Sequence, residues 1–316
     1  MFTFMQPPAK INKISAGEKK LLKLTSDFID SNEAEPIKIL VRFWKDQAMV
    51  LTYKEIREWI EQGDVTTSVL QQWSADYVKV FHEKLKPYWV DASEKGFAQH
   101  PFFERMNGTD FVYNPQRAGT LQYIENHTAD LVTRTTEEQR QAIKDVIALG
   151  WRDNMGSDEL SRLIRPMVGL NSRQAAANKR YYETAKKQIA DAHPRMKTEN
   201  VEAKARHMAQ MYGEKQHRYR AQTIAQTELH NAYEAGSYFG IQEAQNEGYI
   251  GEIKKQWVTA AGEINGVCKA CVALEGVTIG LTEYFTSEKF APVLRPELHP
   301  RCRCTLKYIE VEDDDD

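Results

Sequence analysis

All four cysteines of this 316-residue chain lie within its last fifty residues, at Cys268, Cys271, Cys302 and Cys304. The first two form a CxxC, which places two sulfur atoms on one tight turn. The other two belong to the segment His299-Pro300-Arg301-Cys302-Arg303-Cys304. Clustered thiols are typical of metal ligands, whereas a disulfide framework is spread through a small secreted chain. The C-terminal end is therefore predicted to fold around a metal ion.

This cluster offers five candidate ligands for the four positions of a tetrahedral zinc ion: Cys268, Cys271, His299, Cys302 and Cys304. In an extended strand the two late cysteines face opposite sides and only one of them reaches the metal, while a turn brings both. His299 completes the set where only one of them serves. A site filled by protein ligands has no open position for water, which predicts structural zinc. The alternative is a group of buried or disulfide-bonded thiols.

Apolar residues upstream of the cysteines recur at three- and four-residue steps, which indicates helices. Residues 1–120 read as a helical N-terminal region with a loop-rich stretch from Gly96 to Gly119. Residues 121–250 predict four helices, whose starts are marked by a capping box at Thr135–Glu138, then Ser157, then Asn171 or Ser172, and finally Thr198. The last of these helices is expected to reach about Asn246, with one interruption at Gly213.

The pattern changes after Gly248. Strand-like stretches occur at Ile253–Val258, Val277–Leu281 and Leu306–Val311, so residues 251–309 predict a small β-containing module that carries the zinc knuckle. Residues 310–316 form an acidic tail, which is expected to be disordered and solvated. The predicted fold class is mainly α, a helical array with a small C-terminal α+β zinc-knuckle module.

Charge gives a weaker indication of function. The net charge of -3 does not point to nucleic acid, but residues 173–220 carry twelve Lys or Arg against five acidic residues. This stretch is either a solvated helical face or a surface that contacts DNA phosphates. The candidates for DNA contact are Lys179, Arg180, Lys186, Lys187, Arg206 and Arg218. No window approaches the ~20 apolar residues of a membrane span, and the start lacks the pattern of a secretory signal.

One helix carries a recognisable motif, RAxxIAxTE, formed by Arg220, Ala221, Ile224, Ala225, Thr227 and Glu228. Together with Lys255-Gln256-Trp257, the CxxC and the final HPxCRC, it resembles the C-terminal domain of phage Mu F-like minor head proteins. The resemblance covers roughly residues 121–308. Two departures are Gln226, where relatives usually carry Arg, and Glu263-Ile264-Asn265, where they often carry Asp-x-Arg.

The resemblance implies a minor capsid or head-morphogenesis protein that joins the prohead at or near the portal. The partners it implies are the portal protein, a capsid or scaffolding protein and, in some relatives, double-stranded DNA whose packaging or ejection is affected. Its expected location is the phage head interior or portal vertex, and the host cytoplasm during assembly. No membrane partner is expected.

The alternative function is a metal-dependent nuclease, or another DNA-processing enzyme, that uses the zinc knuckle as a scaffold. Such chemistry needs further His and Asn ligands near the knuckle, and His299 is the only histidine after His230. An HExxH motif is absent. Thr227 and Glu228 have no second acid or base beside them in the sequence, so they are expected to be helix-packing groups. The chain is therefore predicted not to be an enzyme.

Overall fold

The fold is taken from a computed structural model, which describes residues 14–106, 108–114, 118–260 and 268–311. These ranges contain the helices α1 (Ala16–Asn32), α2 (Ala34–Val50), α3 (Tyr53–Gln62), α4 (Thr67–Lys79), α5 (Lys86–Ala98), α6 (Ala118–Arg152), α7 (Ser157–Ile164), α8 (Ser172–Ala192), α9 (Thr198–Asn246) and α10 (Lys269–Leu274). They also contain the strands β1 (Ile253–Val258), β2 (Thr278–Gly280) and β3 (Thr305–Glu310). A π-helical segment, Val80–Leu85, follows α4, and 3-10 turns occur at Pro101–Met106 and Arg165–Met167.

The chain forms two compact units, each assembled from separate segments. Unit 1 contains Met1–Ala34, Lys86–Glu125 and Thr223–Asp316, and unit 2 contains Glu35–Leu85 and Asn126–Gln222. The long helices α6 and α9 each contribute residues to both units.

Unit 2 contains helices and no strand within its described residues, and its core is built from aromatic and branched side chains. Trp59 and Trp73 meet edge to face with their ring centroids 5.8 Å apart, a favourable geometry for aromatic pairs. The helix ends follow local rules. Thr52 forms a capping box with Glu55 at the start of α3, and Gly63 ends that helix with a φ of 76° that suits glycine.

Unit 1 contains the sheet, which is antiparallel throughout in the order β2-β1-β3. In the central strand β1, Ile253, Lys255 and Trp257 are all buried, as the two-residue period of a strand requires. Trp257 lies opposite Leu306 of β3. Ile253, Trp257 and Leu306 join Tyr238 and Ile241 of α9 in one apolar cluster, so α9 provides the surface on which the sheet lies.

Helices α5 and α9 approach each other closely in unit 1. A Cβ atom on Gly236 would lie 1.9 Å from the carbonyl oxygen of Ser93, and one on Gly96 would lie 1.8 Å from that of Tyr233. Both obstacles are backbone atoms, which cannot rotate away. The crossing therefore requires glycine at both residues.

The predicted fold class is confirmed: the protein is mainly helical with a three-stranded sheet near its C-terminal end. The capped start of α8 is confirmed as well, because Asn171 and Gln174 form a capping box. The three strands lie within or next to the stretches expected for them. None of the helices within the described residues is long and apolar enough to cross a membrane.

Three sequence expectations were wrong. No helix starts at Thr135, because α6 runs without a break from Ala118 and Thr135 is buried on it. The expected break of α9 at Gly213 does not occur, and that glycine lies against the Asn178 side chain, 3.0 Å from where its Cβ would be. The loop-rich stretch begins later than Gly96, since α5 continues to Ala98. The acidic residues 312–316 lie outside the described residues.

Candidate metal centre

Helix α10 holds the two cysteines of the CxxC. Cys268 is the N-cap residue and Cys271 lies in the first turn, so the three-residue spacing places both thiols on one side of the helix start. Cys271 is buried and Cys268 is half-buried. The Sγ atoms of both cysteines and a ring nitrogen of His299 all lie within 4.8 Å of one another.

A tight turn brings the two late cysteines to the same place. Arg301 has a φ of 61°, in the left-handed region, and the Cys302 N–H donates 3.1 Å to the His299 carbonyl. Strand β3 begins only at Thr305, so Cys302 and Cys304 are not in an extended strand. Both are buried, and their sulfur atoms lie within 4.8 Å of each other and of Cys271.

The His299 ring is held in one tautomer. Its Nδ1 lies 3.0 Å from the Pro300 carbonyl oxygen, which only accepts hydrogen bonds, so Nδ1 carries the proton. The lone pair of Nε2 then faces Cys271, whose Sγ lies 3.2 Å away. An imidazole oriented by a second hydrogen bond is the usual arrangement for a metal ligand, and also for a hydrogen-bond acceptor from a thiol.

Hydrogen bonds among the buried thiols shift the pKa values of Cys302 and Cys304 in opposite directions. Hydrogen bonds with Cys271 and Cys304, together with burial, raise the pKa of Cys302 well above its ordinary value. Hydrogen bonds from Cys271 and Cys302 lower the pKa of Cys304 well below it. Without a cation, one thiolate is thus stabilised by two neutral thiols, whereas a metal ion would favour loss of the remaining protons.

The donor set fits a zinc ion. Two sulfur ligands of a tetrahedral zinc ion lie about 3.8 Å apart, given Zn–S distances of ~2.3 Å. The candidate donors form two groups whose atoms lie within 4.8 Å of one another, Cys268–Cys271–His299 and Cys271–Cys302–Cys304, and Cys271 belongs to both. Soft sulfur and imidazole donors without a carboxylate are those that zinc prefers over magnesium or calcium.

Helix α9 carries the turn that holds the late cysteines. The Arg301 N–H donates 2.9 Å to Thr227 Oγ1, and the Arg301 Nε donates 2.6 Å to Gln226 Oε1. Gln226 also donates through Nε2 to Glu33. One turn further along α9, the His230 Nε2 lies 2.8 Å from the Cys304 carbonyl oxygen. Three side chains of the motif helix, Gln226, Thr227 and His230, therefore hold the HPxCRC segment in position.

Three buried ionisable groups are Lys255 of β1, Arg295 and Glu234 of α9. Arg295 and Glu234 were not singled out from the sequence, and Lys255 was noted only as part of Lys255-Gln256-Trp257. Lys255 donates 2.8 Å to the Leu294 carbonyl, and burial lowers its pKa to about 8. One sequence pattern could have identified Lys255. It lies two residues before Trp257 in β1, and the two-residue period of a strand predicts that both face the same buried side. The Arg295 guanidinium lies over the Tyr123 ring, 4.1 Å from its centroid, and forms an ion pair with Glu297.

Glu234 is a buried carboxyl group on α9. Burial raises its pKa to about 8, and Thr305 Oγ1 donates a 2.8 Å hydrogen bond to it.

The remaining motif residues are buried or half-buried. Ala221, Ala225 and Glu228 are buried and Ile224 is half-buried. Arg220, in unit 2, is buried and donates 2.7 Å to Glu138 while its guanidinium lies 5.6 Å from the Trp44 ring centroid.

The six basic residues singled out for DNA contact differ in exposure. Lys179 is 3% exposed and its ammonium pairs with Asp153 and Glu183. Lys186 pairs with Glu159 and Glu202, and Arg206 lies 3.7 Å from Glu202. Of the six, Arg180, Lys187 and Arg218 are exposed and form no ion pair with any residue that the structure describes. The structure therefore brings no group of six free cations together on one surface.

Comparison with known proteins gives one match. Residues 182–307 match the family model described as Phage Mu protein F like protein. The matched segment contains the motif helix, strands β1 and β2, the start of β3 and every candidate metal ligand. No curated protein and no solved structure matches the chain. Glu263–Asn265, where a departure from relatives was noted, lies outside the described residues.

Proposed function

We propose that this chain is a structural component of a tailed-phage head, with residues 182–307 acting as a phage Mu F-like region during head morphogenesis. The main support for the proposal is that the family match covers both the cysteine–histidine cluster and α9, the helix that contacts it. Within this segment α9 holds the HPxCRC turn through Thr227, Gln226 and His230.

The zinc ion that we propose is structural. Cys268, Cys271, Cys302 and Cys304 would supply four sulfur ligands, and His299 would hydrogen-bond to Cys271. A four-sulfur set leaves no open position for water, so a hydrolytic role finds no support in this donor set. The ion would connect α10 to the turn before β3 and so stabilise the module.

The partners that we propose are the portal protein and a capsid or scaffolding protein, met in the host cytoplasm during assembly. The final location would be the head interior or the portal vertex. DNA contact, if made, would use the exposed cations Arg180, Lys187 and Arg218, because Lys179 is buried in ion pairs.

The experiment is co-expression of the full chain with the portal protein of the same virus, followed by size-exclusion chromatography with light scattering. A shared peak of defined mass supports a portal-associated head component and gives the stoichiometry. A parallel measurement is mass spectrometry of purified virions, which is expected to detect the chain.

Separate elution at low salt, together with absence of the chain from purified virions, contradicts the proposal. Metal-dependent cleavage of DNA by the purified chain, lost in a Cys271→Ser variant, would instead favour the nuclease alternative.

A further inference from the structure

Unit 2 contains a groove with a volume of about 840 Å³ that the metal centre does not use. One wall is a single face of α2, from Val41 to Met49, and the other is a single face of α9, from Ala203 to Arg218. At 1.5 Å per residue these walls extend for about 12 Å and about 22 Å. The groove is therefore as long as two to four turns of a helix.

The charge of this groove has one predominant sign. Five cationic side chains and one carboxylate line it: Lys45, Arg162, Arg165, Arg206, Arg218 and Glu214. Lys45, Arg162 and Arg218 are exposed and form no ion pair with any residue that the structure describes. Elsewhere in unit 2, Lys179, Lys186 and Arg140 are neutralised by carboxylates. Unpaired cations along a concave surface favour an acidic ligand.

The same groove has apolar walls. Met49 is 63% exposed and Tyr53 is 39% exposed, both on its lining. Large exposed apolar side chains beside a cavity are typical of a surface that a partner covers. A phosphate backbone offers methionine no apolar partner, so these residues favour a protein segment over DNA.

The groove is held in shape before any ligand arrives. Arg165 donates from Nε to the Ala48 carbonyl at 2.9 Å and from Nη2 to the Met49 carbonyl at 2.8 Å, which fixes the C-terminal end of α2. On the opposite wall, His217 Nε2 lies 2.7 Å from the Val168 carbonyl oxygen and its ring packs on Trp44. A preformed groove avoids part of the ordering cost of binding.

We propose that this groove binds an acidic amphipathic helix of a partner protein, with its apolar face on Met49 and Tyr53 and its carboxylates on Lys45, Arg162 and Arg218. A helix laid in a groove is a recurring mode of recognition, and two to four turns match the length of the walls. The proposal concerns a surface in unit 2 and is independent of the zinc ion.

The test uses the full chain and a fluorescein-labelled synthetic peptide of roughly 15 residues, with leucines along one helical face and glutamates beside them. Fluorescence anisotropy is expected to show saturable micromolar binding. The double variant R162E/R218E should bind at least about tenfold more weakly, which corresponds to about 1.4 kcal/mol. Met49→Glu should weaken binding as well.

Matched controls are Arg180→Glu on α8 and Val78→Glu on α4, both exposed residues that do not line the groove. They should keep the affinity within about twofold, a change of about 0.4 kcal/mol. Circular dichroism establishes that each variant is folded. The proposal is overturned if the peptide does not bind or if the control variants lose as much affinity as R162E/R218E. It is also overturned if a peptide of the same composition, with its leucines spread over all faces of the helix, binds equally well. Displacement by duplex DNA with the same dependence on Arg162 and Arg218 would assign the groove to nucleic acid instead.

Discussion

The backbone N–H of Arg301 donates a 2.9 Å hydrogen bond to Oγ1 of Thr227. Arg301 is one of two described non-glycine residues with a positive φ, and it lies between His299 and Cys302, two of the candidate metal ligands. A left-handed residue in a turn persists only where its surroundings hold it. Thr227 supplies that support from α9, which explains why a threonine in the motif helix matters to a cluster seventy residues later.

Thr227→Val keeps the shape of the side chain but removes the acceptor. The Arg301 N–H then loses its partner, so we expect a loss of about 1–2 kcal/mol in the free energy of unfolding. Thermal denaturation of the zinc-loaded chain measures it. The control is Thr184→Val on α8, whose hydroxyl is exposed and donates only to the Arg180 carbonyl of its own helix. Equal losses in the two variants would contradict the role given to Thr227.

The sequence predicted the five candidate donors but not the residues that support them. CxxC and HPxCRC carry metal-ligand spacing in a few adjacent residues, so the five donors could be chosen from local pattern alone. Thr227, His230 and Gln226 act on residues about seventy positions away, and no local spacing encodes that contact. The turn that brings Cys302 and Cys304 together likewise depends on Arg301 and its partner on α9.

The errors in the helix boundaries have a similar cause. Thr135–Glu138 has the composition of a capping box, yet tertiary packing keeps the helix continuous through Thr135, which is buried in α6. Gly213 would break an isolated helix, but within the fold it allows close approach to Asn178. By contrast, the sequence offered Asn171 or Ser172 as the cap of α8, and the cap is Asn171, whose partner Gln174 lies only three residues away.

Gly236→Ala tests the close crossing of α5 and α9. The added methyl group would meet the Ser93 carbonyl oxygen at 1.9 Å, so the helices must separate. We expect a destabilisation of about 3 kcal/mol or more, at the upper end of overpacking effects. Gly17→Ala on α1 is the control, since nothing lies within 4 Å of its Cβ, and it should be neutral or stabilising by up to ~1 kcal/mol. Denaturant unfolding distinguishes them. A loss below about 0.5 kcal/mol for Gly236→Ala, within the range of ordinary surface substitutions, would be incompatible with this crossing.

Zinc content tests the metal centre directly. The purified chain is expected to hold about one zinc ion, and Cys271→Ser should abolish binding because Cys271 belongs to both groups of donors. His299→Gln should retain zinc, since four sulfur atoms remain. The measurement is inductively coupled plasma mass spectrometry after dialysis, with the visible spectrum of the cobalt-substituted chain reporting the number of sulfur ligands. Loss of zinc in His299→Gln would make the imidazole the fourth ligand, and a metal-free wild-type chain would rule the site out.

The ion pair of Arg220 and Glu138 predicts an asymmetry between its two partners. The Arg220 side chain is 5% exposed and that of Glu138 is 46% exposed. Glu138→Gln leaves a buried guanidinium without its counter-ion and should cost about 2–3 kcal/mol, a value below that of fully buried pairs. Arg220→Met leaves only a carboxylate that water can solvate, so it should cost at least about 1 kcal/mol less. Asp158→Asn, in the exposed pair with Arg57, is the control and should change stability by under ~1 kcal/mol. Equal losses of unfolding free energy in Glu138→Gln and Arg220→Met would show that the difference in burial between the two partners does not determine the cost of breaking the pair.

His100 predicts a loss of stability in acid. Its Nε2 donates 3.1 Å to the Leu306 carbonyl and its Nδ1 accepts from the Phe102 N–H, so the folded ring has no free nitrogen for a second proton. Burial lowers the pKa of His100 to about 4, from an unfolded value of about 6.5. The stability that this ring contributes is therefore fully present above about pH 6.5 and is lost as the pH falls through about 4, by roughly 3 kcal/mol in total.

Other buried groups, among them His230, Glu234 and His217, also titrate as the pH falls, so the readout for His100 is a difference between variants. Burial also lowers the pKa of His230 to about 4, so His230 adds to the loss of protein stability in acid. Burial raises the pKa of Glu234, so the stability that Glu234 contributes is present at low pH and is lost as the pH rises, which opposes the effect of the histidines. His100→Gln keeps a donor for Leu306 but cannot titrate. The difference in unfolding free energy between wild type and His100→Gln should therefore change by about 2–3 kcal/mol between pH 7 and pH 4, in favour of the variant at low pH. A constant difference for His100→Gln would mean that the folded ring accepts a proton as readily as the unfolded one.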